Sequence, residues 1–178
     1  MSLSQIYFST PRLTVAALTP QSAAIETLVG ELTLILTPSV KQHLPPDIQS
    51  VNDEKSARKW LLNVMGESTF VTILASDSGA LIGFFLLYEE KEANGKSVIR
   101  LGYAVGEHAQ GLGYASEMIA GLVAWCRGSG FIASLSGGAE ANNLASIRVL
   151  EKNGFVQESN AEHSEGEQRT VFLSRTFC

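Results

Sequence analysis

Apolar residues recur at two different spacings along this chain, and the order of the two predicts its elements. A short strand is expected at Arg12-Leu13-Thr14-Val15, between Pro11 and the helix-starting pair Thr19-Pro20. Ile25, Leu28, Val29 and Leu32 follow at helical spacing and predict a helix that ends near Thr37-Pro38. The stretch 39–52 contains Pro45-Pro46 and reads as a loop, of a length that is often functional. Asp53 is placed to cap a second helix through Trp60, Leu61 and Val64. Three strands are then predicted at 70–76, 81–89 and 98–105, joined by the turn signals Asp77-Ser78-Gly79 and Asn94-Gly95.

After this antiparallel meander the rhythm changes. A helix is predicted at 115–127, a strand at 131–136, a helix at 144–153 ended by Gly154, a strand at 155–158 and a last strand at 170–175. A meander followed by a βαβαβ passage implies an α+β fold: a central mixed, mostly antiparallel sheet of about seven strands flanked by about four helices. No internal repeat, low-complexity tract or Gly/Ser linker divides the chain, so one domain spanning 1–178 is expected.

Composition narrows the class of function. At 45% hydrophobic and 17% charged residues the chain is ordinary globular protein. Its longest apolar run, 81–88, falls far short of the ~20 residues that span a bilayer, so no membrane association is expected. Residues 1–8 carry neither a basic nor an apolar leader region, which places the expected compartment in the cytoplasm. A net charge of −5 without clustered Lys and Arg argues against direct contact with nucleic acid. Cys126 and Cys178 have no zinc-site spacing, and no metal is expected. Cys126 lies on an apolar stripe with Ile119, Leu122 and Val123 and reads as packing, so no cysteine nucleophile is assigned.

The stretch Leu101-Gly102-Tyr103-Ala104-Val105-Gly106-Glu107-His108-Ala109-Gln110-Gly111-Leu112-Gly113-Tyr114-Ala115 is a strand, a tight glycine loop and a helix start. Unpaired amides at a helix N-terminus converge on one point, and the helix dipole favours an anion there. A Rossmann loop would need its third glycine at Ser116 and an acidic residue ending the next strand, where 134–136 offers none. A P-loop would end in Gly-Lys-Ser/Thr, which Gly113-Tyr114-Ala115 does not supply.

Gln110-Gly111-Leu112-Gly113-Tyr114-Ala115 resembles instead the Gln/Arg-x-x-Gly-x-Gly/Ala segment of the GNAT N-acetyltransferases. Ala141-Asn142-Asn143-Leu144-Ala145-Ser146-Ile147-Arg148-Val149-Leu150-Glu151-Lys152-Asn153-Gly154-Phe155 is similar to the second coenzyme A segment of the branch containing the ribosomal-protein alanine N-acetyltransferases (RimJ and RimL types). Thr10-Pro11-Arg12-Leu13 is similar to that branch too, and the likeness extends over about Thr10 to Thr176. The resemblance implies acetyl-CoA as co-substrate, with the backbone of Gln110, Gly111, Leu112, Gly113, Tyr114 and Ala115 cradling the pyrophosphate. The strand end at Ala104 and Val105 would pair with the pantetheine arm, the amide near Val105 would face the thioester oxygen, and Asn143 would bond the same arm. Asn143 also suits a helix cap, and the two roles are compatible.

Many GNAT enzymes protonate the departing thiolate with a tyrosine on the last helix. Around Val149 and Leu150 there is no hydroxyl, and Ser146 is the replacement candidate, its other reading being a surface serine or cap partner. The base often stands on the fourth strand, yet Leu101 and Tyr103 offer no carboxylate. Glu162, His163 and Glu165 lie between the last two strands, where some members of this branch place a water-activating acid, and Glu165 is the candidate; a solvated acidic loop is the other reading. His108, beside the glycine loop, could meet phosphate or face water. The expected acceptor is an α-amine of a protein N-terminus, as in the ribosomal-protein alanine branch, with a small-molecule amine or amino acid as the alternative, admitted by the loops 39–52 and 160–168. A non-catalytic acetyl-CoA-binding module is the third reading, and the oligomeric state is not readable from the sequence.

Overall fold

A computed structural model describes residues 1–158 and 169–178. Glu162, His163 and Glu165 lie outside the described residues. Among the described residues, eight strands form one sheet, in the order β1-β2-β3-β4-β5-β6-β8-β7. They are β1 (Tyr7–Ser9), β2 (Leu13–Ala17), β3 (Thr69–Ala75), β4 (Leu81–Lys91), β5 (Ser97–Val105), β6 (Ile132–Glu140), β7 (Val156–Gln157) and β8 (Thr170–Thr176). Every pairing is antiparallel except that of β5 with β6. The α+β expectation therefore holds with one more strand than the seven predicted: β1, three residues long, is too short to show an alternation.

Helices cover both faces. On one lie α1 (Ile25–Ile35) and α3 (Glu54–Glu67), on the other α4 (Tyr114–Ser129) and α5 (Leu144–Lys152). Each face has its own core. Leu32, Trp60, Leu61, Phe70 and Phe84 pack between the sheet and α1 and α3, while Ile99, Met118, Leu122, Leu135 and Leu150 pack between the sheet and α4 and α5. This explains why 81–87 of β4 are buried without interruption: a central strand covered on both sides has no polar face to present.

The region 39–52, expected as a loop, is folded. Thr37 caps a short helix α2 (Pro38–Lys41) by accepting from the Val40 amide at 3.4 Å, with Pro38 in the first turn where its missing N–H costs nothing. Pro46–Ser50 forms a 3-10 turn. Buried Lys41 pins the segment, its Nζ donating to Val51 O at 2.9 Å and Asn52 Oδ1 at 3.3 Å. Asp53 caps α3 as expected, accepting from the Ser56 amide at 2.7 Å.

Candidate active site

β5 and β6 run side by side only as far as Leu101 opposite Gly137. Beyond that point β5 continues to Val105 along β4, and β6 continues to Glu140 along β8, so the sheet opens into a split between its two parallel strands. The ladder fixes what faces the split. Gly106 N–H donates to Ile82 O at 2.8 Å, and hydrogen-bonding direction alternates along an antiparallel pair. Gly102 and Ala104 therefore turn their amides toward β4, while Tyr103 and Val105 turn theirs into the split. The Val105 carbonyl accepts from Gln110 Nε2 at 3.1 Å, and its N–H points into the open edge. This separates Ala104 from Val105 as expected pantetheine partners: Val105 has the open-edge groups, and buried Ala104 bonds along the sheet.

The glycine loop lies at the end of β5. Gly111 (φ +74°) and Gly113 (φ +82°) both adopt the left-handed conformation that other residues resist, which turns the chain sharply into α4. Gln110 spends its own amide on Glu107 O at 3.3 Å, so the run of free amides begins at Gly111. Among the described residues, no acceptor takes the amides of Gly111, Leu112, Gly113, Tyr114 or Ala115. His108 is exposed on the 3-10 turn Glu107–Ala109.

A latch from the β1–β2 turn holds this loop, and sequence reasoning missed it. Glu117, in the first turn of α4, accepts from Thr10 Oγ1 at 2.6 Å, the Arg12 amide at 2.9 Å and Arg12 Nε at 2.6 Å. Arg12 Nη1 in turn donates to Leu112 O at 2.9 Å, and the guanidinium lies 4.1 Å from the centre of the Tyr114 ring. Partial burial pushes the Glu117 carboxyl up, but the bonds from Thr10 and Arg12 outweigh it and hold the group below its ordinary value.

On the α5 side of the split, Asn143 caps the helix by accepting from the Ser146 amide at 3.2 Å. The Ser146 hydroxyl pairs with the Tyr103 phenol at 2.7 Å. Tyr103, passed over in the sequence for lacking a carboxylate, thus brings a second hydroxyl to Ser146. Burial pushes its phenol up, only partly offset by the bond to Ser146. The signal was present as parity: Tyr103 and Val105, two apart on a strand, must point the same way.

On the opposite face, a cavity of about 60 Å³ lies between the α2–α3 segment and strands β4 and β5. Trp60 and Phe84, with ring centres 5.7 Å apart, form part of its wall, and Tyr103 borders it. Asp47 stands at this cavity and accepts from Trp60 Nε1 at 3.1 Å. His43 Nδ1 lies 3.2 Å from Glu140 Oε2, which joins the α2–α3 segment to the strand on the far side of the split.

The chain belongs to the GNAT acetyltransferases, since the family described as "Acetyltransferase (GNAT) domain" matches residues 12–156. It is an N-acetyltransferase by that membership. No curated protein matches the sequence. Among solved structures it is similar to a ribosomal-protein-S5-alanine acetyltransferase from Vibrio fischeri, with 13% identity, 97% of each chain covered and a TM-score of 0.76. RimL, a ribosomal L7/L12 α-N-protein acetyltransferase in complex with coenzyme A, aligns with 21% identity over 94% of this chain and 96% of that one, at a TM-score of 0.72. A GNAT acetyltransferase from Bacillus anthracis aligns with 15% identity over 95% of this chain and 96% of its own, at 0.73. These likenesses share the fold.

Proposed function

We propose that the chain acts as a single-domain, acetyl-CoA-dependent enzyme that acetylates an α-amine, on a protein N-terminus or an amino acid. The observation that carries this reading is the arrangement around the split: free amides from Gly111 to Ala115 at one end, the Val105 N–H at its edge and the Tyr103–Ser146 hydroxyl pair beside it. These fit coenzyme A, whose pyrophosphate needs converging donors and whose arm needs an open strand edge. Bound acetyl-CoA supplies an acetyl group activated as a thioester.

The chain's own residues supply position and protons. The Val105 N–H, fixed by the β4–β5 ladder, is aimed where a carbonyl oxygen gains charge, and one preorganised donor of this kind is worth roughly 3 kcal/mol. Ser146 Oγ gives a proton or hydrogen bond to the departing sulfur and is restored through Tyr103. Asn143 holds Ser146 in place through the cap and offers its amide nitrogen to the pantetheine arm. Glu165, by its place between the last two strands, is the proposed base.

Proton bookkeeping favours the α-amine. With a pKa of ~7.7 to 8.0 such an amine is roughly 10 to 20% neutral at pH 7, whereas a lysine near ~10.4 is neutral in well under 0.1% of molecules. Two findings lend support: the site has no carboxylate on β5, and the solved relatives include α-N-protein and alanine acetyltransferases. The test compares peptides beginning with free Ala or Ser against α-blocked peptides carrying one internal lysine, at pH 7 with acetyl-CoA. Faster acetylation of the free-amine peptides is expected; faster reaction of the blocked lysine peptides would refute the α-amine assignment.

A further inference from the structure

β4 carries one residue more than its neighbour β3 can pair. The partners run Thr72 with Phe84, Ile73 with Gly83 and then Leu74 with Leu81, which leaves Ile82 without a partner on β3 in a β-bulge. The two cores show the same extra residue. From Phe84 on, side chains alternate between them: Phe84 and Leu86 enter the core beneath α1 and α3, Phe85 and Leu87 the core beneath α4 and α5. Leu81 and Ile82 alternate in the same sense, and Gly83 alone interrupts the count. A Cβ at Gly83 would point into β5, overlapping Ala104 O and lying 3.2 Å from Ala104 C and 3.3 Å from Val105 Cα.

The oxygen that such a Cβ would strike belongs to the peptide that faces the split. Ala104 C=O and Val105 N–H are the two ends of one planar trans peptide and point in opposite directions. While Ala104 O rests against β4 at Gly83, the Val105 N–H is turned into the split. A bulge also increases the local twist of its strand, and β5, held to Ile82 O through the Gly106 amide, follows β4. Gly83 stands opposite Val105, beyond Leu101 and Gly137, the last parallel pair of β5 with β6. The extra twist thus falls on the part of β5 that has left β6.

We propose that Gly83 is a positioning residue for acetyl transfer: lacking a side chain at the bulge, it lets the end of β5 lean onto β4, which opens the split and aims the Val105 N–H at the thioester oxygen. The proposal rests on the reading above, in which that N–H meets the thioester. Gly83→Ala puts a methyl where Ala104 O rests, so the peptide must turn and carry the donor off its line. Deleting Gly83 removes the bulge instead. Leu81, Ile82, Phe84 and Phe85 then alternate without interruption and each side chain keeps its core.

The experiment measures, for wild type and both variants, kcat, coenzyme A affinity by calorimetry and the infrared band of bound acetyl-CoA isotope-labelled at the thioester carbonyl, with near-UV circular dichroism to check folding. In wild type the band should move to lower frequency on binding, the mark of a hydrogen bond to the carbonyl. In Gly83→Ala that movement should be lost and kcat should fall by about 10 to 100-fold, part of the roughly 100 to 1,000-fold that removing such a donor costs. Coenzyme A affinity should stay within about 3-fold, because the amides from Gly111 to Ala115 are untouched. The deletion variant should fold and lose both the band movement and turnover. A band that moves as in wild type in either folded variant would overturn the role of Gly83 while leaving coenzyme binding at the split standing. If Gly83→Ala does not fold, the deletion variant decides alone; failure of both to fold would make the bulge a requirement of the sheet and overturn its assignment to the reaction. A band that does not move in wild type would overturn the Val105 donor, and the role of Gly83 with it.

Discussion

Tyr103 and Ser146, 43 residues apart in the chain, meet hydroxyl to hydroxyl at 2.7 Å across the split in the sheet. One comes from the open edge of β5, the other from the first turn of α5, and neither would face the other if β5 and β6 stayed paired beyond Leu101. Each can donate to the other, so a proton given up by Ser146 can be replaced from Tyr103 without a water.

Ser146→Ala is expected to lower turnover by about 10 to 100-fold, because a thiolate is already a good leaving group and acid catalysis typically contributes ~100 to 10,000-fold. Tyr103→Phe should act through the same bond. The double variant should then be little worse than the poorer single one, a non-additivity that a pair of unrelated sites would not show. Since burial raises the Tyr103 phenol, it stays protonated through neutral and mildly alkaline pH, and no loss of turnover from its ionisation is expected below pH ~10. Additive losses in kcat, or an unaltered rate in Ser146→Ala, would return Ser146 to a capping role.

Coenzyme binding at the glycine loop can be separated from backbone strain by a matched pair of variants. Gly111 has φ +74°, and a Cβ there would meet nothing within 4 Å. Asn and Asp both tolerate that conformation better than other residues and have nearly the same shape. Gly111→Asn should therefore bind acetyl-CoA only modestly more weakly than wild type, while Gly111→Asp, which adds a negative charge beside the pyrophosphate amides, should bind at least about 10-fold more weakly than the Asn variant. Calorimetry on the two decides it, and equal affinities would remove the loop from the pyrophosphate site.

How much of this was legible before the structure depended on the range of the interaction. Local signals carried well: Asp53 capping α3, Asn143 capping α5, and the turns at Gly79 and Gly95, both with positive φ, follow from side chains acting within four residues. Strand ends carried less well. The strand predicted at 131–136 runs on to Glu140, because Gly137 and Gly138, which look like a break, are held in the ladder by β8. Contacts between distant segments did not carry at all. The Arg12–Glu117 latch spans 105 residues and Tyr103–Ser146 spans 43, and both exist only once sheet order and helix placement are fixed. The cavity depends on a segment, 38–50, whose two Pro-started turns read as an unstructured loop.

The two cysteines should differ sharply in reactivity. Cys126 is buried in the α4 core and burial alone pushes its thiol up to about 12, so the nucleophilic thiolate is scarce at neutral pH. Cys178 is exposed. Native protein is expected to take up one equivalent of a thiol reagent at pH 7.5 and two after unfolding in guanidinium. Rapid native labelling of both would contradict the packing role of Cys126 and reopen it as a reactive group.

The latch between Arg12 and Glu117 fastens the glycine loop through a single carboxylate, and the pH dependence of that fastening has a sign. Glu117 is held below its ordinary value, so the folded state keeps the charge to lower pH than the unfolded chain does. Its contribution to stability is fully present above pH ~4.5 and is lost as pH falls through the depressed folded value. Glu117→Gln removes the charge while keeping the shape. It should cost about 1 to 2 kcal/mol at pH 7, below the roughly 1.5 to 3 kcal/mol of hydrogen bonds to a charged group because the Arg12 side is partly solvent-screened. The gap between wild type and variant in urea unfolding should narrow steadily from pH 5 to pH 3. Acetyl-CoA affinity at pH 7 should fall by about 3 to 10-fold, because Arg12 also holds Leu112 O and covers Tyr114, and freeing it loosens the amides from Gly111 to Ala115. A stability gap that stayed constant with pH would show that the carboxylate's charge is not what fastens the β1–β2 turn to α4. An affinity that did not change would show that the loop keeps its shape without the latch.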